Sequence, residues 1–167
     1  MIVCGTGHRP DKLGGYDEAT FNKLTDLAIK YLESARPDRV IAGGAIGWDQ
    51  ALANAASRLR IPLLLAYPFE NHHSKWPADS VGARFHREMD IIIQEGLGHD
   101  IHKVFVCEPG YAPWKMQQRN KWMVDGSDLV VALWNGTDGG TANCIKYANK
   151  VGKPVVNLWE EFSRQGG

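Results

Sequence analysis

Six short apolar runs, each separated from the next by a stretch long enough for a helix, constrain what this chain can fold into. The runs are MIVCG at the start, RVIAGG from Arg39, IPLLLAYPF from Ile61, HKVFVC from His102, DLVVALW from Asp128 and PVVNLW from Pro154. Between them lie predicted helices over Asp17–Ala35, Gln50–Leu59, Val81–Glu95, Met116–Val124 and Ala142–Lys150. The first carries Phe21, Leu24, Leu27, Ala28, Tyr31 and Leu32 at spacings of three and four, the mark of one buried helical face. Gly152 is placed to cap the last. The segments ENHHSKWPADS and EPGYAPW are polar or proline-broken and read as surface connections. Strict β-α alternation with continuously apolar strands demands a mainly parallel sheet covered on both faces. The expected fold is therefore a single α/β, Rossmann-like, three-layer domain over residues 1–160, with 161–167 as a loose C-terminal tail.

In such a sheet, ligands bind beyond the carboxyl ends of the strands, near a reversal of strand order. Three of the runs open there into glycine. The first loop holds Gly5, Thr6, Gly7, His8 and Arg9, offering backbone approach, a hydroxyl and a guanidinium fork for phosphate. The second, Gly43-Gly44-Ala45-Ile46-Gly47-Trp48-Asp49, opens a helix whose N-terminus suits an anion. There, Asp49 either N-caps the helix or faces a ligand, and Trp48 either stacks on a base or packs. The third runs from Asn135 through Gly136, Gly139 and Gly140 to Thr141, at the entry of the last helix. The dinucleotide fingerprint G-x-G-x-x-G is absent, and so is the G-x-x-x-x-G-K-[ST] phosphate loop.

Charge and cysteine content narrow the function. Nineteen basic residues balance nineteen acidic ones, which weighs against a long polyanion and makes nucleic acid an unlikely partner. Three cysteines with no C-x-x-C spacing argue against disulfides and zinc. His8 and the His72-His73 pair lack a metal-ligand spacing, so no metal and no cofactor are expected. There is no signal sequence and no apolar run near about 20 residues, so the expected setting is cytoplasmic, with no membrane partner.

GGAIGWDQALANAA followed by RNKWMVDGSDLVVALWNGTDGGT resembles the SLOG superfamily of Rossmann-like nucleotide-binding domains. That superfamily includes the lonely-guy phosphoribohydrolases and the DNA-processing protein A fold. The opening TGHRP is most like its YpsA-like branch, and the resemblance runs from Thr6 to about Pro154. It implies that Arg119, with Asn120 beside it, reaches the ligand from the helix before the fifth strand. Arg119 and Met123 match the R-K-x-x-M helix of the lonely-guy pattern, and Gly139-Gly140-Thr141 its glycine loop. The glutamate that the hydrolases carry three residues after the threonine is Cys144 here. A thiol does not replace a carboxylate in N-glycosidic cleavage. The expected function is therefore binding of a nucleotide or nucleotide-derived small molecule, as a sensor, carrier or sequestering protein. The alternative is a nucleotide N-glycosidase using Asp49 and Arg119 as catalytic residues. Single-stranded nucleic-acid binding comes third. Six tryptophans, zero net charge and the resemblance suggest a homodimer.

Overall fold

A computed structural model describes residues 1–97 and 99–165. Six strands form one sheet in the order β4-β3-β2-β1-β5-β6: β1 Ile2–Gly7, β2 Arg39–Ala42, β3 Leu63–Tyr67, β4 Ile101–Phe105, β5 Leu129–Leu133 and β6 Val155–Asn157. Every pairing is parallel, so the mainly parallel expectation is met by an entirely parallel sheet. The helices are α1 Glu18–Ala35, α2 Trp48–Arg58, α3 Val81–Glu95, α4 Pro113–Asp125, α5 Gly140–Lys150 and α6 Trp159–Gln165. A short 3-10 turn at Pro10–Lys12 follows β1.

Local signals set the helix ends. Asp17 caps α1 by accepting the Thr20 N–H at 3.2 Å, and Arg36 closes it in the left-handed region at φ 48°, before Pro37. Ser80 caps α3 through the Ala83 N–H, and Gly96 ends it at φ 62°. The final helix corrects the expectation of a loose tail. Residues 161–165 are helical, and Phe162 is buried against the core that α1 also enters. Gly166 and Gly167 lie outside the described residues.

Two apolar cores sandwich the sheet. On one side Leu24, Leu32, Trp48, Leu52, Phe85 and Phe162 join residues of α1, α2, α3 and α6 to the strands. On the other, Met123, Val124, Cys144 and Ala148 of α4 and α5 meet Cys4, Ile41 and Val130. The chain thus steps outward from β1 to β4 with helices on the first side, then returns through α4 on the second to lay β5 beside β1. Strand order reverses between β1 and β5, where Gly7 pairs with Leu133. Loops leaving those two strands diverge to opposite faces and leave a crevice.

The β1 glycines serve packing. A Cβ on Gly5 would stand 2.4 Å from Leu52 Cδ2, and one on Gly7 2.5 Å from Trp48. Both contacts are shorter than real Cβ atoms allow, so α2 can seat its fully buried indole against β1 only where the strand has no side chains. Trp48 Nε1 donates to the Val131 carbonyl at 3.4 Å.

Candidate functional site

The crevice at the β1/β5 switch has a volume of about 360 Å3. Its floor and one wall come from the β1 loop: Thr6, Gly7, His8, Arg9, Asp11 and Lys12. Ala45 and Asp49 enter from the β2 side, Met116, Arg119 and Asn120 from α4, and 137–141 from the loop into α5. Most of the sequence-based candidates converge here, from four separate segments.

Arg119 is the best-held group in it. It is 6 % exposed, and its Nη1 donates to the Gly43 carbonyl and, at 3.2 Å, to that of Ala66. Its Nε donates to Asn120 Oδ1 at 3.1 Å. Nη2 makes no hydrogen bond among the described residues, and the side chain lines the crevice. Asp49 lies on the other side of Gly43. A Cβ at Gly43 would fall 2.7 Å from Arg119 Nη1 and 2.8 Å from Asp49 Oδ2, so only glycine fits between the two charges. Burial raises the Asp49 carboxyl above the ordinary carboxylate range, opposed by Arg119, the Ala45 N–H and Arg9. Burial lowers the Arg119 guanidinium, opposed first by Asp49. Each charge therefore sustains the other in a site that disfavours both.

Asp49 sits within the first turn of α2, whose N-cap is Gly47, so it is not the cap. Gly47 takes φ 109°, and a Cβ there would stand 2.6 Å from the His8 carbonyl, which accepts the Trp48 N–H. Gly47 therefore closes the β1 loop onto α2 and leaves the crevice to others. Trp48 has zero exposure and packs beneath β1, which removes it as a stacking platform. Gly5 is sealed against Leu52. Gly43 acts through its carbonyl on Arg119, and Gly44, at φ 80°, faces Tyr67 and His72, so neither lines the crevice.

The β5 loop divides similarly. Asn135 Oδ1 accepts from the Thr137 N–H at 3.1 Å and the Thr137 hydroxyl at 2.6 Å. His8 Nε2 lies 2.8 Å from that oxygen and 3.0 Å from the Asn135 nitrogen. Asn135 and Gly136 thus build the turn, and His8, buried and with its imidazole lowered mainly by that burial, ties the two loops together. Beyond the turn, Gly139 and Gly140 have nothing within 4 Å of where a Cβ would stand, and both line the crevice beside the buried Thr141. Open space over glycines at a helix N-terminus leaves backbone N–H groups accessible to an anion.

Cys144 is fully buried behind Thr6, and burial pushes its thiol up to about 11. It does not line the crevice. The carboxylates at the crevice are Asp11, Asp49 and Asp138. The sequence reading missed Asp11, Lys12, Met116 and Thr137 as lining residues. Lys12 donates to the Thr137 hydroxyl at 3.0 Å, bridging the two loops over the opening. Among the described residues, no group of three or more His, Cys, Asp or Glu is arranged to hold a metal ion, and no helix is long and apolar enough to cross a membrane.

No protein-family model matches the chain. A relative does: the SPbeta prophage-derived protein YoqJ of Bacillus subtilis (strain 168) is 37 % identical over 161 residues, covering 86 % of this chain and 92 % of that protein. The chain belongs to the YoqJ family. Among solved structures, the chain is similar to DNA processing protein A from Helicobacter pylori, with a TM-score of 0.62 at 17 % identity, over 94 % of this chain and 64 % of that one. The chain thus spans under two thirds of that protein. It is also similar to the molybdenum cofactor carrier protein of Chlamydomonas reinhardtii, with a TM-score of 0.57 at 19 % identity, over 98 % of this chain and 80 % of that one. These likenesses show the fold, which is Rossmann-like.

Proposed function

We propose that this YoqJ-family protein binds a nucleotide or nucleotide-derived small molecule in the β1/β5 crevice and acts as a sensor, carrier or sequestering protein. The observation that carries this reading is the buried Arg119. Its hydrogen bonds to Gly43, Ala66 and Asn120 fix it in the crevice wall, and its Nη2 has no hydrogen bond among the described residues. A cation whose geometry is fixed before binding loses little entropy when it takes a phosphate oxygen. The open backbone at Gly139–Thr141 supplies neutral donors to the same anion, with Arg9 and Lys12 adding charge at the rim. Asp49 is the residue to accept a ribose hydroxyl. The volume of about 360 Å3 lies near the lower end of the range of roughly 300–1,000 Å3 for small-molecule sites, which suits a mononucleotide. The solved carrier protein of similar fold is named for carrying the molybdenum cofactor, which accords with a binding role.

The alternative is N-glycosidic cleavage, and Asp49 favours it. A buried carboxyl raised above its ordinary range and paired with Arg119 is the kind of group an oxocarbenium-like transition state uses. The position that carries the hydrolases' glutamate is sealed as Cys144, so Asp49, ahead of Asp138, would have to supply the carboxylate. Single-stranded DNA binding, named for the Helicobacter protein, draws on fold likeness only and is opposed by the zero net charge. A cytoplasmic setting accords with the free buried thiols of Cys4 and Cys144. A homodimer accords with zero net charge and with Trp114 and Trp122 exposed along α4.

The test is a panel of nucleoside monophosphates and NAD-derived compounds, read by thermal shift and by chromatography for released base. A shift without base release is expected. Base release that Asp49→Asn abolishes would establish the enzyme instead.

A further inference from the structure

Away from the crevice, three histidines meet in one buried cluster. His72 and His73 come from the turns between β3 and α3, and His86 from α3. The His73 and His86 rings stack at 3.7 Å and 27°. His72 lies 5.3 Å from His86 and 4.5 Å from the Tyr67 ring, and Trp76 closes over the group at 5.4 Å from His72. Among the described residues, four ring nitrogens are buried without a hydrogen bond of ordinary geometry: both of His72, on which the Gly44 backbone nonetheless acts, and Nδ1 of His73 and of His86. Buried polar atoms without partners are rare because each costs stability.

The charges around the cluster decide how it responds to acid. From α3 come Asp90, whose Oδ2 is 3.3 Å from His86 Nε2, and Arg87. From β4 comes Lys103, whose Nζ is 3.0 Å from the same Asp90 carboxylate. From α4 comes Arg119, which acts on His72, and from β3 the neutral Tyr67 hydroxyl. Burial lowers all three imidazoles first, their mutual repulsion and these cations add to it for one or another, and Asp90 opposes at His73 and His86. His72 falls to about 3 and His86 to about 4. At neutral pH the rings are uncharged and pack as aromatics. A protonated pair stacked at 3.7 Å, next to Lys103 and Arg87, cannot.

The cluster also touches the site from behind. A Cβ on Gly44 would contact Tyr67 at 2.4 Å and lie 3.6 Å from His72 Nε2. Gly44 follows the carbonyl of Gly43 that grips Arg119, and Ala66, the second grip, precedes Tyr67.

We propose that His72, His73 and His86 form an acid-sensitive latch. While neutral they clamp the 69–80 segment onto Tyr67 and α3 and support Gly44. Once charged they release it, loosening the carbonyls that orient Arg119. The pH window follows from the lowered values. As pH falls through the ordinary histidine value of about 6.5, the unfolded chain takes up protons first, so the stability present above that pH is progressively lost on the way to the folded values.

The test uses the ligand-free protein and is independent of what the crevice binds. Calorimetric melting of the wild type is expected to fall by about 10 °C between pH 7 and pH 5. The His72→Phe/His86→Phe variant, which keeps the rings and removes two of the three titrating groups, is expected to lose less than about half as much. An equal fall in both would overturn the latch. Histidine Cε1–H resonances of the wild type need no variant. Titration of all three well below the ordinary value, accompanied by faster amide exchange at residues 43–45 and 70–80, supports the proposal. Any of the three titrating near about 6.5 with the fold intact would overturn it. So would a stoichiometric rise in melting temperature with zinc chloride that cancels the pH dependence, since it would make the cluster a metal site.

Discussion

At the scale of single residues, the site rests on one buried cation and one buried carboxylate held apart by a glycine. Removing the cation alone strands Asp49 and two carbonyls, so Arg119→Met is expected to cost about 3–5 kcal/mol in urea unfolding. Arg119→Met/Asp49→Asn is expected to cost clearly less than the sum of the single changes, because the stranded charge goes with its partner. The cysteines give a second prediction. Cys4 and Cys144 are fully buried, with thiols raised to about 12 and about 11, whereas Cys107 is half-buried. A chromogenic disulfide reagent should label about one thiol in the native protein and three in denaturant. Fast labelling of Cys144 would contradict its place behind Thr6. Arg119 was legible in the sequence only through the family pattern, since a charged residue on an amphipathic helix otherwise reads as solvated. Lys12 and Met116 had no such signal. Their positions follow from how the 3-10 turn and α4 are docked, and spacing along the chain does not encode docking.

Elements were easier to read than contacts. The apolar runs and helical periodicities placed every strand and the five longer helices within a few residues. α6 was missed because seven residues offer too few repeats, although Leu158 and Phe162 stand one turn apart and both are buried. Glycine was the ambiguous letter. A glycine that admits a helix and one that admits a ligand look alike in sequence, and what separates them is the side of the strand or loop they face. Gly7 and Gly140 make the contrast measurable. Gly7→Ala drives a methyl into the Trp48 indole and is expected to cost about 1–3 kcal/mol. Gly140→Ala meets nothing within 4 Å, sits in the first turn of α5 without a positive φ, and is expected to leave stability unchanged or raise it by about 0.4–1 kcal/mol. Equal losses from both would mean that Gly140 is packed and the crevice is not open there.

For the whole molecule, the reversal of strand order between β1 and β5 is what turns four distant segments into one site. The chain reaches it with a neutral overall charge but with Arg9, Lys12 and the buried Arg119 lining the crevice, so attraction for an anion is local. Affinity for a small phosphate ligand should accordingly fall only modestly between about 50 mM and 200 mM salt, whereas an oligonucleotide binder would lose several orders of magnitude. The most direct measurement of the central claim is titration calorimetry of the compound giving the largest thermal shift, on wild type and on Gly140→Ala. A dissociation constant weakened about tenfold or more by the one added methyl, in a variant that melts no lower than wild type, is the expected result. Unchanged affinity in that variant would place the ligand somewhere other than the β1/β5 crevice.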